Sequence, residues 1–304
     1  MRLRLVLPAS ALTALALALP APLPATDVDG PNDCTRNTRD WGDAPEGSAA
    51  YPGVIGHFPT CAAFTAAGNQ TSDCPPISTP PGQTGYVTNI NGTDGYWLGC
   101  APTGGLPLGI DSEADGKVNS TGGPISFCSQ TLAVDCVEPA FGMNFGQDEC
   151  YGSNDAGIAN PITFACCANA IVTFTATNCG PTRTCFLNIL VDWNEDGDWN
   201  DNFRCGQTGA CAYEWAVKNA PITLPTGCRS LASPSFLAGP RAGRGWMRIT
   251  LCNDPVSDDF PWAGSALPAG GVLQGGETED YPVVIATPTP TGGSTWGRLK
   301  VLYR

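Results

Sequence analysis

The chain has a single histidine, three methionines and no C-x-x-C pair, and only 14% of its 304 residues are charged. Each scarcity excludes something. A serine or cysteine nucleophile needs a base beside it, and His57 is the sole imidazole. No G-x-S-x-G or H-E-x-x-H occurs either. Without C-x-x-C pairs or further histidines, cysteine-histidine zinc sites are disfavoured. So low a charge content excludes coiled coils and solvated disordered chains. Basic groups are scarce too, 15 against 28 acids. All the acids and ten of the basic groups lie between Asp27 and Asp280, which leaves that interval at −18. Such a surface repels nucleic acid and anionic membranes and attracts cations.

Long apolar runs are also missing, except at one place. Arg2 and Arg4 precede an apolar stretch from Leu5 to Leu19, with small-residue sites after Ala21 or Ala25. Residues 1–25 therefore read as a secretory signal. A membrane span is disfavoured, because a span needs about 20 apolar residues and Pro20, Pro22 and Pro24 end this run. The expected localisation is secreted, extracellular or cell-surface. At the far end, 287–293 is a Thr/Pro/Gly linker. Residues 294–304 form a short basic-aromatic tail, either a sorting or anchoring signal or a last edge strand.

What the chain does have is glycine (37), proline (28) and cysteine (15). Punctuation this dense suits many short strands joined by turns rather than helices. The strand signal is strongest in Ile171–Thr177, Thr184–Trp193, Gly245–Cys252 and Tyr281–Ala286, and Thr184–Trp193 reads as central. No long helical period remains once the signal is set aside, and no internal repeat is visible. The reading is all-β, a β-sandwich of jelly-roll or Ig-like type with long disulfide-stapled loops, spanning 26–286. In an exported chain the cysteines form a disulfide framework, with one left over for an intermolecular bond or a free thiol. Short spacings suggest Cys179 with Cys185, Cys205 with Cys211, and Cys128 with Cys136. Cys166 and Cys167 are expected to take different partners, since neighbours in a strand point to opposite faces.

The strongest local signal is Asp192-Trp-Asn-Glu-Asp-Gly-Asp-Trp-Asn-Asp201. Oxygen side chains recur at Asp192, Asn194, Asp196, Asp198 and Asn200, with Gly197 at the bend. Calcium takes 6–8 hard oxygen ligands, and alternate positions of a turned loop can aim at one point. The opening matches an EF-hand loop, but position twelve is Phe203, so another acidic segment must complete the shell. The competing reading is a turn with solvated acids. Asp111, Glu113 and Asp115 have the same look, and Glu277, Glu279 and Asp280 crowd the mouth of the last strand. These eleven residues are the candidate metal ligands, with Ca2+ the expected cofactor.

The motifs also occur in a recognisable order. Trp41-Gly-Asp-Ala-Pro45 and Tyr51-Pro52 come first, then Leu108-Gly-Ile-Asp-Ser-Glu-Ala-Asp-Gly116, then Leu187–Asp201, and last Gly276-Glu-Thr-Glu-Asp-Tyr-Pro282. Together they resemble the GEVED domain of bacterial secreted proteins. That resemblance implies a β-sandwich, accessory in role, with no enzymatic activity. Two departures stand out. The family's acid-rich stretch reads Gln147-Asp-Glu-Cys-Tyr-Gly-Ser-Asn-Asp-Ala-Gly-Ile158 here, with Asp148, Glu149 and Asp155 spread out, and the cysteines exceed the pattern.

The expected function is a non-catalytic, calcium-stabilised surface module acting in adhesion, glycan binding or surface structure, with a glycan or a surface protein as partner. Tyr96, Trp97, Trp193, Trp199, Trp215 and Trp262 are the candidates for stacking on sugars, against a competing fate as core residues. The alternative is a carboxylate-pair glycoside hydrolase or an accessory module of one. Arg241, Arg244 and Arg248 form the one basic cluster of the body, read as partners for the acidic loops.

Overall fold

The computed structural model describes residues 38–40, 42, 44, 46–59, 74, 87–91, 95–100, 136–138, 143–145, 157–158, 161–206, 208–258, 260, 262 and 271–287. Their regular elements are all strands. In chain order these are β1 Thr38–Asp40, β2 Glu46–Tyr51, β3 Val54–His57, β4 Val87–Asn91, β5 Tyr96–Leu98, β6 Cys136–Glu138, β7 Met143–Phe145, β8 Ile162–Ala165, β9 Asn169–Ala170 and β10 Thr173–Asn178. They continue with β11 Arg183–Val191, β12 Asn202–Arg204, β13 Cys211–Tyr213, β14 Val217–Leu224, β15 Gly227–Ala232, β16 Phe236–Leu237, β17 Gly243–Cys252, β18 Gly271–Gln274 and β19 Glu277–Ala286. The all-β expectation holds, and the four strongest strand signals are β10, β11, β17 and β19.

The largest sheet has the order β14-β11-β17-β19-β8, antiparallel except for β8, which runs parallel to β19. Alternation sends Cys185, Leu187, Ile189 and Val191 of β11 to one face, with Met247, Ile249 and Leu251 of β17 and Tyr281, Val283 and Ile285 of β19. There they meet Tyr96, Leu98, Phe174 and Ala176 from the three-stranded sheet β15-β10-β5, which makes a sandwich. The opposite face is covered as well. Leu190, Trp246 and Cys252 pack there with Ala44, Ala50, Tyr51, Phe58, Trp199, Trp215 and Trp262. A strand buried on both sides needs apolar residues at successive positions, which is why β11 and β17 read as continuous hydrophobic runs.

A bulge interrupts the β11–β14 ladder between Leu187 and Ile189. Asn188 lies there, fully buried, and its Oδ1 accepts from Trp215 Nε1 at 3.0 Å and from the Asn219 amide at 2.9 Å. Asn219 takes φ +47°, a left-handed conformation that asparagine tolerates better than most residues.

The cysteines correct the short-range pairing. Cys167 is bonded to Cys205, Cys74 to Cys211 and Cys100 to Cys228, with Cα separations of 5.6, 6.0 and 5.4 Å. Cys179 is also in a disulfide, while Cys185 is a free thiol, so those two are not a pair. Cys205 and Cys211 open and close one hairpin yet reach segments 38 and 137 residues away. Spacing misled because each thiol faces what packs against its strand, not its chain neighbour. Cys166 and Cys167 do differ, as one is free and the other bonded. Cys128 lies outside the described residues.

The single unpaired cysteine expected from the count is also corrected: Cys166, Cys185 and Cys252 are all free and buried. Burial pushes the Cys185 and Cys252 thiols up to about 12. At pH 8 neither offers thiolate, the reactive form. Native protein treated with iodoacetamide at that pH should therefore stay unlabelled at all three positions. After unfolding without reductant, peptide mass mapping should find all three alkylated. Labelling of Cys185 in the native state would contradict its burial.

Candidate metal centre

The acidic loop leaves β11 at Asp192 and reaches β12 at Asp201. Asp192 shapes it from inside. Its Oδ1 accepts the Asn194 and Glu195 amides at 3.1 and 2.8 Å, and its Oδ2 accepts the Gly197 amide and the Tyr51 hydroxyl, both at 2.9 Å. Four donors on one carboxylate account for its lone pairs. Glu195 and Gly197 both take positive φ, +61° and +92°, which curls the chain over this carboxylate.

Glu214 holds the loop from outside. It follows β13, and its Oε1 accepts the Trp193 amide at 2.9 Å while its Oε2 accepts the Asp201 amide at 2.9 Å. One side chain thus clasps both ends of the loop. Glu214 is the acid from outside the loop that comes up against it, in one carboxylate group with Asp192 and Asp196. Its one sequence cue is a lone acid between Tyr213 and Trp215 in an otherwise uncharged stretch.

Two groups of carboxylates converge within 4.8 Å: Asp192, Asp196 and Glu214, and Asp196, Asp198 and Asp201. In the first, Asp192 and Glu214 are occupied by their hydrogen bonds. In the second, Asn194 Nδ2 donates to Asp196 Oδ2 at 2.8 Å and to Asp201 Oδ2 at 2.6 Å, and Asp198 Oδ1 accepts the Asn200 amide at 3.0 Å. Asp196 Oδ1 and Asp198 Oδ2 are buried with no hydrogen-bond partner. Asp198 is 1% exposed. Among the described residues, Asp192, Asp196, Asp198 and Glu214 form no ion pair with a lysine or arginine.

The electrostatics follow. Burial, then the Asp196 charge, pushes Asp192 up to about 7. Burial and Asp196 likewise hold Asp198 well above the usual carboxylate range, and burial and Asp192 do so for Glu214. Asp196 is raised, again mainly by burial. A carboxylate with a raised folded-state pKa opposes folding once the pH exceeds its unfolded value, because ionising it in place costs more than in water. Buried carboxylates this close fit a metal ion, which would supply the opposing charge.

The other candidates are placed differently. Asn194 and Asn200 lie within the loop, Asn194 cross-linking its two acids. Asp280 points to the other face of β19, where Arg248 Nε and Nη2 donate to its two oxygens at 2.7 and 2.6 Å. Its Oδ2 also accepts the Ala44 amide at 2.6 Å. Glu277 accepts the Leu98 amide. Among the described residues, neither it nor the buried Glu279 belongs to a converging carboxylate group. Asp111, Glu113 and Asp115 lie outside the described residues.

The motifs nevertheless meet. The Arg248 guanidinium lies 4.7 Å from the Trp199 ring centre, which places the loop, β17 and Asp280 in one stack. Gly42 is tight against the pair, since a Cβ there would lie 2.3 Å from Asp280 Oδ2. Gly276 takes φ +77°, and a Cβ on it would lie 2.0 Å from the Leu251 carbonyl oxygen, so only glycine fits. His57 contributes backbone: its amide donates to Gly197 O at 2.7 Å.

No protein-family model matches the chain, and no curated protein matches it in sequence. The likeness to the GEVED domain therefore rests on the motifs themselves.

The proposed sugar platforms are corrected by burial. Tyr96, Trp97, Trp193, Trp199, Trp215 and Trp262 are all at most 4% exposed. Tyr96 and Trp193 lie in the first core and Trp199, Trp215 and Trp262 in the second, where Trp215 meets Trp262 edge-to-face at 5.8 Å.

Proposed function

We propose that this chain is an exported, non-catalytic β-sandwich module of GEVED type, stabilised by calcium in its acidic loop and acting at the cell surface in binding or structure. The observation that carries this reading is the Asp196–Asp198–Asp201 group, with two buried carboxylate oxygens that nothing in the loop satisfies. Calcium suits an all-oxygen shell that also offers Asn side chains and loop carbonyls. Disulfides support an oxidising compartment. No helix among the described residues is long and apolar enough to cross a membrane. The signal-like residues 1–25 support export.

A structural role fits better than a hydrolytic one. A carboxylate-pair hydrolase needs its two acids at an open cleft, whereas Asp192, Asp198, Asp201 and Glu214 are each at most 1% exposed. A glycan or a surface protein would be met by the outer loops or the tail, not by the tryptophans of the core.

Thermal unfolding of the oxidised protein, with excess calcium and with EDTA, tests the reading. Calcium at 100 times its dissociation constant should add about 2.7 kcal/mol. That is a rise of several degrees in midpoint for a chain of this size. Asp198→Asn should abolish the rise while costing little in EDTA, because it removes a charge that is repelled when no cation is present. Equal midpoints in calcium and EDTA for the unmodified chain would leave the loop an acidic turn held by Asp192 and Glu214 alone. Retention on a polysaccharide column without release of reducing sugar separates the binder from the hydrolase.

A further inference from the structure

The hairpin of β2 and β3, residues 46–59, packs against the acidic loop and the arginine stacked on it. Ala50, Tyr51 and Phe58 are buried beneath it in the second core. The contact with the loop is close. A Cβ on Gly197 would lie 2.9 Å from Ile55 O and 3.2 Å from Gly56 Cα, so the two backbones come into close contact beside Val54 Cγ1. The His57 amide bonds Gly197 O at the same place. The Phe58 ring lies 4.4 Å from Trp199, the residue between Asp198 and Asn200. Pro59 O accepts from Arg248 Nη1 at 3.0 Å. Tyr51 links all three parts: its hydroxyl donates to Asp192 Oδ2 and accepts the Trp246 amide, both at 2.9 Å.

We infer that residues 46–59 form a cation-dependent strap, whose docking and the filling of the Asp196–Asp198–Asp201 site stabilise each other, with Tyr51 the positioning residue that couples them. The inference rests on the calcium reading above. The physical reason is shared geometry. The loop conformation that presents Gly197 O to His57 and Asp192 Oδ2 to Tyr51 is the one that gathers the three ligand carboxylates. Without a cation, repulsion among the buried acids is relieved by opening the loop. Opening moves Asp192, Gly197 and Trp199, and so withdraws the surface on which the strap rests. Coupling of this kind is reciprocal: whatever factor calcium adds to docking, docking adds to calcium affinity. Release of the strap would uncover the aromatic face formed by Trp199 and Trp246.

The test uses the full oxidised chain, calcium titration by calorimetry, and hydrogen exchange in calcium and in EDTA. Calcium should slow the local-opening exchange of residues 49–59 by roughly tenfold, within the ordinary range of coupling between linked sites, whereas β10 should slow only as far as overall stability rises. Tyr51→Phe should weaken calcium binding by a similar factor. Val172→Ala, a cavity in the first core, controls for general destabilisation and should bind calcium as the unmodified chain does. If calcium binds but exchange of 49–59 is the same in both states, the strap is overturned. The same holds if Tyr51→Phe binds calcium normally, or if Val172→Ala weakens it equally. Should Tyr51→Phe not fold, the exchange comparison alone decides. If the unmodified chain takes up no calcium, the calcium reading falls and the strap falls with it, which distinguishes the two failures.

Discussion

Replacing Arg248 with alanine is expected to cost about 3–5 kcal/mol of stability, the usual penalty for breaking a buried ion pair by removing one partner. Arg248 and Asp280 are both 0% exposed, and the guanidinium meets both carboxylate oxygens. Without it, Asp280 keeps the Ala44 amide as a donor and becomes an uncompensated buried charge. Two further losses add to this: the stack on Trp199 and the bond to Pro59 O. For a chain of this size the midpoint should fall by roughly 10 °C in thermal unfolding. Arg248→Lys should rescue little, because an ammonium cannot reproduce the two-pronged contact. A melting point within a degree of the unmodified chain would mean that the pair contributes nothing.

Replacing Cys74 and Cys211 together by serine is expected to cost about 5 kcal/mol in the chain-entropy account, since the bridge closes a loop of 137 residues. The Cys167–Cys205 bridge, across 38 residues, is worth about 4 kcal/mol by the same relation. The cost should be visible beyond the entropy term. The β12–β13 hairpin has strands of only three residues each, too short to hold alone. One disulfide anchors each arm, and the hairpin carries Asp201 at its entry and Glu214 at its exit. Urea unfolding of the double serine variant under oxidising conditions measures the loss. A change below about 1 kcal/mol would show that the hairpin is held by packing rather than by the bridge.

The strands were legible because their cause is local. Alternation and β-branching in Thr173–Asn178 leave one face for the core, and the double-sided apolar runs of β11 and β17 leave two. The acidic loop was legible for the same reason, since its acids lie at alternate positions around one glycine. Its closure was not. Asp201 stood at the edge of the pattern, and Glu214 joins it across a hairpin of intervening sequence. The tryptophans looked like a sugar platform because composition counts rings without saying which way they face. Asp280 looked like a ligand because an acid beside Glu277 and Glu279 reads as one of a cluster. Pleat geometry sends it to the opposite face, to Arg248.

By itself the sequence determined an all-strand fold, an acidic body and a loop rich in oxygen side chains, because each follows from residues a few positions apart. The tertiary structure decided the rest: which cysteines bond, which acids converge, which thiols stay free, and why Gly42, Tyr51, Gly276 and Asp280 belong to one assembly. Those outcomes depend on which strand lies beside which. That is set by the burial of two apolar layers around the β14-β11-β17-β19-β8 sheet, a balance summed over the whole chain that no short stretch of it contains.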